Sequence, residues 1–392
     1  MVRQVVVVGA GVYGAAVADT LTRRGARVTV VDAGAAAGGT SGATFSWLNS
    51  CGKQPRAYHD LRVAGMAAHR RLAAEVPAGG WYHDGGNLEW AADHAGAERL
   101  RRKVAGVLGY GYEARWLDRA EALRLEPDLA PAELPADGIA WFPAEGWVDP
   151  IRLIGHLLSA STGRGAELVD GDAVTDLEVA GGLVRAVRLR SGRRLVADAV
   201  VNCAGPQAAG IAALAGLALP MRNTRGVLIY TAPAPVAVSR VVHAPRVHLR
   251  PDGGGRLLLH SPDVDDAAYP SETGEFAVDR SAVEAVLDAV RALLPGLRTM
   301  PVESIRPGPR TVTVESVRVG ERPIPGDGLP VLGRVVELPN FHFAVSHSGA
   351  TLCLHAGDLV AREVLGEDVD DALAAFRFER LAVDPDHSPK IQ

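Results

Sequence analysis

A chain of 392 residues exceeds what one simple core holds, so two domains are expected. Its 47% hydrophobic and 22% charged residues are ordinary for a globular protein, and a formal net charge of −5 with both signs interspersed offers no nucleic-acid surface. Three cysteines (Cys51, Cys203, Cys353) lie far apart without a CxxC pair or zinc-type histidine spacing, which fits a reducing compartment and gives neither a disulfide framework nor a metal site.

The clearest elements come first in the chain. Val5 to Val8 form the continuous apolar run of a strand buried on both faces. Gly9, Gly11 and Gly14 follow at GxGxxG spacing, then a helix over 15–24 stopped by Gly25, then a second apolar strand over 28–31 ending at Asp32. In such a βαβ unit the first glycine permits the tight turn, the second lets backbone approach a pyrophosphate, and the third lets helix and strand pack closely. The helix N-terminus favours the phosphates, and a carboxylate about 20 residues on bonds the ribose diol. No arginine follows Asp32, which argues against a 2′-phosphate. Because the strand starts at Val5, no room is left ahead of it for a cleavable leader. The longest uncharged run, 199–221, is broken by Asn202, Gly205, Pro206 and Gln207. A cytoplasmic protein without a membrane anchor is expected.

Further along, a glycine-rich loop "GGTSGATFSW" precedes a helix over 57–75, and "FPAEGWVDPIRLIGHLLSAS" reads as a turn and a helix opening near Asp149 and Pro150. A meander of strands follows and closes on a buried strand over 199–203. The segment from Met221 to Val319 reads as strands with one helix over 282–294. "GERPIPGDGLPVLG", 320–333, is so dense in proline and glycine that a loop is expected throughout, and a closing helix follows in "ATLCLHAGDLVAREVL". The tail after Leu381 reads as poorly ordered.

An NAD dehydrogenase continues as regular βαβ units after the first half. Here the chain leaves for an irregular insertion and returns to the sheet only at "ADAVVNCAG", as in flavoproteins whose FAD domain is assembled from distant pieces. Four stretches, "VVVVGAGVYG", "GGTSGATFSW", "VVNCAGPQAAG" and "GERPIPGDGLPVLG", together resemble the D-amino-acid oxidase family of flavoenzymes, in the branch containing glycine oxidase and sarcosine oxidase. The resemblance spans nearly the whole chain. It implies an α/β fold in which a Rossmann-like FAD-binding domain (1–80, 142–220, 321–381) carries an α+β substrate domain on an antiparallel sheet (81–141, 221–320), with a tail from 382.

By that resemblance Gly9, Gly11, Val12, Tyr13 and Gly14 meet the pyrophosphate, and Asp32 with Ala33 the adenosine ribose. Thr40 and Ser41 form a second phosphate loop, and Phe45, Ser46 and Trp47 run along the flavin. Val174 meets adenine through its backbone, Gly205 belongs to a cofactor-facing turn, and Gly349, Ala350, Thr351 and Leu352 face the flavin's pyrimidine edge and ribityl chain. The sarcosine-oxidising members attach flavin through a cysteine just before the late arginine; "VESVRVGERP" has none, so noncovalent FAD is expected.

A flavin amine oxidase needs an oriented neutral amine more than a catalytic triad, so cations and hydrogen-bond donors are the candidates. Arg322 is the first, as a carboxylate clamp over the flavin; the bland reading is an ion pair with Glu321 or Asp327. His248 and Arg250, two apart on a strand, share one face, which either lines the pocket or meets solvent. His260 is a weaker candidate. His347 stands where glycine oxidase carries a second arginine. Lys53, one of three lysines, either promotes oxygen reduction near the flavin or is a surface residue. Asn49 could donate to flavin N5 or to substrate. The expected reaction removes a hydride from the Cα of a small carboxylate-bearing amine and passes electrons to O2. A dehydrogenase with another acceptor and a nonenzymatic flavin-binding protein are the rivals. A homo-oligomer is compatible with the sequence.

Overall fold

The computed structural model describes residues 2–270, 276–299 and 314–381. Two sheets organise it. The first holds six strands in the order Val331–Arg334, Phe341–Val345, Ala199–Asn202, Gln4–Val8, Arg27–Val31 and Glu167–Val169. All neighbours run parallel except the antiparallel edge strand Val331–Arg334. Alternation within the first strand explains its unbroken valines. Val5 and Val7 enter one core with the helices Val12–Arg23, Pro150–Gly163 and Gly349–Val364. Val6 and Val8 enter a second core on the opposite face, under the three-stranded meander 174–196. A strand buried on both faces has no polar position to alternate.

The second sheet holds eight strands: Val314–Arg322, Thr224–Thr231, Leu257–His260, His248–Pro251, Val241–His243, Asn87–Glu89, Ile139–Phe142 and Arg115–Leu117, in that order. The helix Arg280–Leu293 closes its core with Val286, Leu287, Val290 and Leu293. The opposite face carries polar side chains, described below.

The segment 320–333 departs from expectation. Its first three residues end the nine-residue strand Val314–Arg322, with Arg322 opposite Thr224, and Val331–Gly333 begin the edge strand of the first sheet. All three prolines fall within 323–330, so the ladder needs no missing N–H before Pro323. Arg322 is therefore a strand residue, and only the stretch between the two sheets is loop. The first helix also starts at Val12, directly after Gly11, three residues before the apolar periodicity suggests. The expected poorly ordered tail lies outside the described residues.

The helix Arg56–Glu75 crosses the closing helix so closely that a Cβ on Gly65 would lie 2.3 Å from the Thr351 carbonyl oxygen. At that crossing His69, fully buried, donates through Nε2 to the Ala350 carbonyl at 2.7 Å, and its Nδ1 has no partner among the described residues. Burial lowers its pKa from 6.5 to about 4. The unfolded chain therefore takes up a proton between these values that the folded chain refuses, so stability is lost as pH falls through that window. His69→Gln is expected to flatten this part of the profile, and urea midpoints compared at about pH 7.5 and about pH 5 test it.

Candidate active site

A cavity of about 990 Å³ opens along the C-terminal ends of the first sheet's strands. At one end it is lined by Asp32, Ala33 and Val174, in the middle by Gly9, Gly11, Val12, Thr40 and Ser41, and at the other end by Ser346, His347, Gly349 and Ala350. Gly205 and Tyr13 also face it. Backbone geometry dictates the glycines. Gly9 has φ +106°, and a Cβ there would lie 2.4 Å from the Cys203 carbonyl oxygen. A Cβ on Gly14 would lie 1.8 Å from the Gly9 carbonyl oxygen, so Gly14 serves helix–strand packing behind the cavity wall. The two glycine-rich loops are tied together, since Val12 N–H donates to Ser41 Oγ at 3.2 Å. Asp32 Oδ2 accepts from Ala10 N–H at 2.7 Å and Oδ1 from Gly34 N–H at 2.8 Å, which fixes the carboxylate.

Some expected cofactor contacts lie elsewhere. Thr351 and Leu352 are buried; Thr351 Oγ1 donates to the Trp47 carbonyl at 3.2 Å and Leu352 packs in the core, because the third and fourth helical positions turn away from the cavity. Phe45, Ser46 and Trp47 are not part of the cavity's lining. Trp47 instead packs against His243 at 4.1 Å between ring centroids, and its Nε1 donates to Glu145 at 3.0 Å. Ser46 is held at φ +55° in the same turn.

The polar face of the second sheet presents a row of histidines. Cross-strand register pairs His243 with His248 and His248 with His260. Their ring centroids are 4.4 and 5.5 Å apart. His243 Nδ1 bonds Asn87 Oδ1 at 2.7 Å, and His260 Nε2 faces Asp265 at 3.3 Å. Arg322 ends the row: Nη2 donates to Asp265 Oδ2 at 2.7 Å and lies 3.2 Å from His260 Nε2, while Nη1 donates to the Arg225 carbonyl at 2.6 Å. The guanidinium lies flat against Gly226, where a Cβ would come within 2.8 Å of Cζ. Arg322 thus has an acidic partner, but it is neither Glu321 nor Asp327; Asp327 pairs with Arg380. Burial, then the His260 charge, lowers His248 to about pH 3, so it is a neutral imidazole.

Arg250 shares a face with His248 but does not meet solvent, nor does it reach the cavity. It is buried, with Nε donating to the Phe45 carbonyl at 2.7 Å, Nη1 to Asp252 at 2.9 Å, and Cζ 4.2 Å from the Trp147 ring centroid. Its Nε holds the 45–47 turn, and its Nη1 is taken by Asp252 and the Pro251 carbonyl. Asn49, also buried, donates Nδ2 to the Trp47 carbonyl at 3.1 Å and leaves Oδ1 without a partner among the described residues, so the unmet group is an acceptor. Lys53 is half-buried and not a solvated surface lysine; burial and then the Arg62 charge lower its pKa. His347 is exposed to the cavity. Desolvation by the surrounding walls, with the Lys53, Arg322 and Arg62 charges, lowers it to about pH 3.

Sequence reading missed His243, Asp265, Glu145, Tyr58 and Arg62. His243 was within reach, because a hairpin turning at Ala-Pro puts it opposite His248. So were Tyr58 and Arg62. With Leu61, Gly65, Met66 and His69 they recur at helical spacing on the buried stripe of their helix. Asp265 ends the four-residue helix Pro262–Asp265 and Glu145 sits in a turn, and no periodicity marks either.

The pattern of the DAO family, described as FAD dependent oxidoreductase, matches residues 4–363. The chain is 28% identical over 389 residues to a glycine oxidase of Geobacillus kaustophilus, covering 96% of each. It is 26% identical over 424 residues to the hydrogen cyanide synthase subunit HcnC of Pseudomonas aeruginosa, covering 97% of each. Its fold matches the crystal structure of glycine oxidase from Geobacillus kaustophilus with a TM-score of 0.82 at 26% identity, over 96% of this chain and 98% of that one. It matches iminodiacetate oxidase from Chelativorans sp. BNC1 with a TM-score of 0.78 at 25% identity, over 95% and 98%. Among the described residues no helix is long and apolar enough to cross a membrane, and no group of His, Cys, Asp or Glu could hold a metal ion.

Proposed function

This chain belongs to the DAO family of FAD-dependent oxidoreductases, and within it we propose an oxidase of a small carboxylate-bearing amine, glycine or an N-substituted glycine, with O2 as acceptor. The cavity residues fit the cofactor. The side-chain-free path past Gly9 and Gly11 suits a pyrophosphate, and the Asp32 carboxylate suits a ribose diol. Cys203 faces the cavity, but burial pushes its thiol up, and no cysteine stands in the segment just before Arg322, which supports noncovalent FAD.

The observation that carries the reading is Arg322. Its chain neighbours Glu321 and Pro323 line the cavity, while its guanidinium ends the row of histidines. Nη1 and Nη2 are engaged by Arg225 and Asp265, and Nε remains for a carboxylate. The neutral imidazoles of His248 and His243 can accept the amine's hydrogens. Lys53, Arg322 and Arg62 together disfavour a positive charge at His347, and the same field disfavours a substrate ammonium, so the amine is presented unprotonated. Bound FAD supplies the hydride acceptor. The protein orients the Cα–H, excludes water, and leaves an imine that hydrolyses to an oxo-acid.

Purified protein is expected to be yellow, and acid to release all its FAD. Anaerobic mixing with glycine, sarcosine, iminodiacetate and longer N-substituted glycines should bleach the flavin, and O2 should restore the colour with stoichiometric hydrogen peroxide. Bleaching that a dye reverses and O2 does not would replace the oxidase with a dehydrogenase. No bleaching by any carboxylate-bearing amine would defeat the reading.

A further inference from the structure

Behind the wall formed by Ser346, His347, Gly349 and Ala350 lies a buried arginine with no counter-ion among the described residues. Arg62 is 2% exposed. Its Nε donates to the Asn49 carbonyl at 2.7 Å, Nη1 to the Tyr58 hydroxyl at 3.2 Å and to Ser348 Oγ, and Nη2 to Thr351 Oγ1 at 3.4 Å. Every partner is neutral, and among the described residues no carboxylate forms an ion pair with it. Asp60, on the same helix, is bound to Arg56 instead. Lys53, the next cation, likewise has no ion pair among the described residues. Desolvating two cations beside each other with no anion is costly, and proteins seldom keep such an arrangement.

The charge is felt in the cavity. Tyr58, bonded to Ser348 Oγ at 2.6 Å, is pushed up by burial yet ends below its ordinary pKa, because Arg62 and then Lys53 favour its anion. His347, on the cavity wall, is lowered by the same two cations and by Arg322. Ser348, which sits between His347 and Gly349, bonds both the hydroxyl and the guanidinium and so ties the cluster to the back of the wall.

Asp32 marks the ribose end of the cavity and the glycines its phosphate stretch, which leaves the end walled by Ser346–Ala350 for the ring system. We infer that Arg62, with Lys53, is an electrostatic positioning group whose missing anion is the negative charge that the FAD ring acquires on reduction. Arg62 is too enclosed to touch a ligand, so it works by its field, and Lys53 adds a second charge that also reaches His347. A charge fixed before reaction needs no reorganisation when the ring becomes anionic. This rests on the flavoenzyme reading but not on the identity of the amine.

Sulfite titration tests it on the oxidised holoenzyme, because sulfite adds reversibly to flavin and leaves a negative charge on the ring. Arg62→Gln should weaken sulfite binding at least about tenfold and move the flavin potential to more negative values, while Arg62→Lys keeps both near those of the parent. Ser348→Ala removes a hydrogen bond but no charge, so it should lower Tm without moving the sulfite affinity. A folded Arg62→Gln protein with parental sulfite affinity and potential overturns the inference. Should that variant not fold, Lys53→Gln must weaken sulfite binding in the same direction, and an unchanged affinity overturns it equally. No amine enters either measurement, so failure of the substrate reading would leave this result standing, and the reverse.

Discussion

Arg322→Leu is expected to weaken binding of a carboxylate-bearing amine by at least about tenfold, since removing one partner of a desolvated charge pair costs roughly 2–5 kcal/mol. The same change strands Asp265, whose side chain is 15% exposed, so Tm should fall too. Loss of stability alone therefore decides nothing, and the partner variant separates the roles. Asp265→Asn removes the competing anion, which should leave substrate affinity intact or tighten it, because Arg322 no longer shares its guanidinium. The double variant should recover stability without recovering affinity. Anaerobic titration of each folded variant, read beside its melting curve, gives all four corners of the cycle. A double variant that binds substrate normally would reduce Arg322 to a structural ion pair with Asp265.

That outcome turns on what a sequence can and cannot carry. The βαβ unit was legible because each residue there obeys a local rule. Glycines sit where a Cβ would strike Cys203 or Gly9, and apolar runs where both strand faces are covered. Arg322 was legible only as a residue. Its place on a strand end, and its partner 57 positions away, depend on how the two sheets meet. His248 and Arg250 show the limit of face arguments. Both leave the same side of one strand, yet one joins the histidine row and the other disappears under Trp147 and Phe45. Period two assigns a face but not what lies opposite it. Arg62 illustrates the converse. Its position on an apolar stripe was visible in the helix spacing, while the absence of a counter-ion among the described residues is a property of the packing.

Glu145→Ala is expected to be the most destabilising substitution around the site, by about 3–5 kcal/mol, with FAD content falling alongside. Glu145 is 1% exposed and stands in the turn between the strands Ile139–Phe142 and Gly146–Val148. Its Oε1 accepts from Ser50 N–H at 3.2 Å, Cys51 N–H at 3.0 Å and the Tyr112 hydroxyl at 3.0 Å, and its Oε2 from Trp47 Nε1 at 3.0 Å. Burial pushes the carboxyl up, while Lys103 and these donors push it back. An ionised carboxylate is acceptor-only, which suits a site offering four donors and no acceptor. Alanine leaves all four donors buried, two of them backbone N–H groups of the turn that carries Trp47, Asn49 and Lys53. The damage should therefore reach the site through position as well as stability. Trp47→Phe removes only one of the four bonds, so it should cost about 1 kcal/mol and retain FAD. Urea unfolding of the two variants, with flavin absorbance per chain measured on each, distinguishes a hub from a bystander. A Glu145→Ala protein with the parental midpoint would show that the turn between residues 47 and 51 is held by something other than this carboxylate.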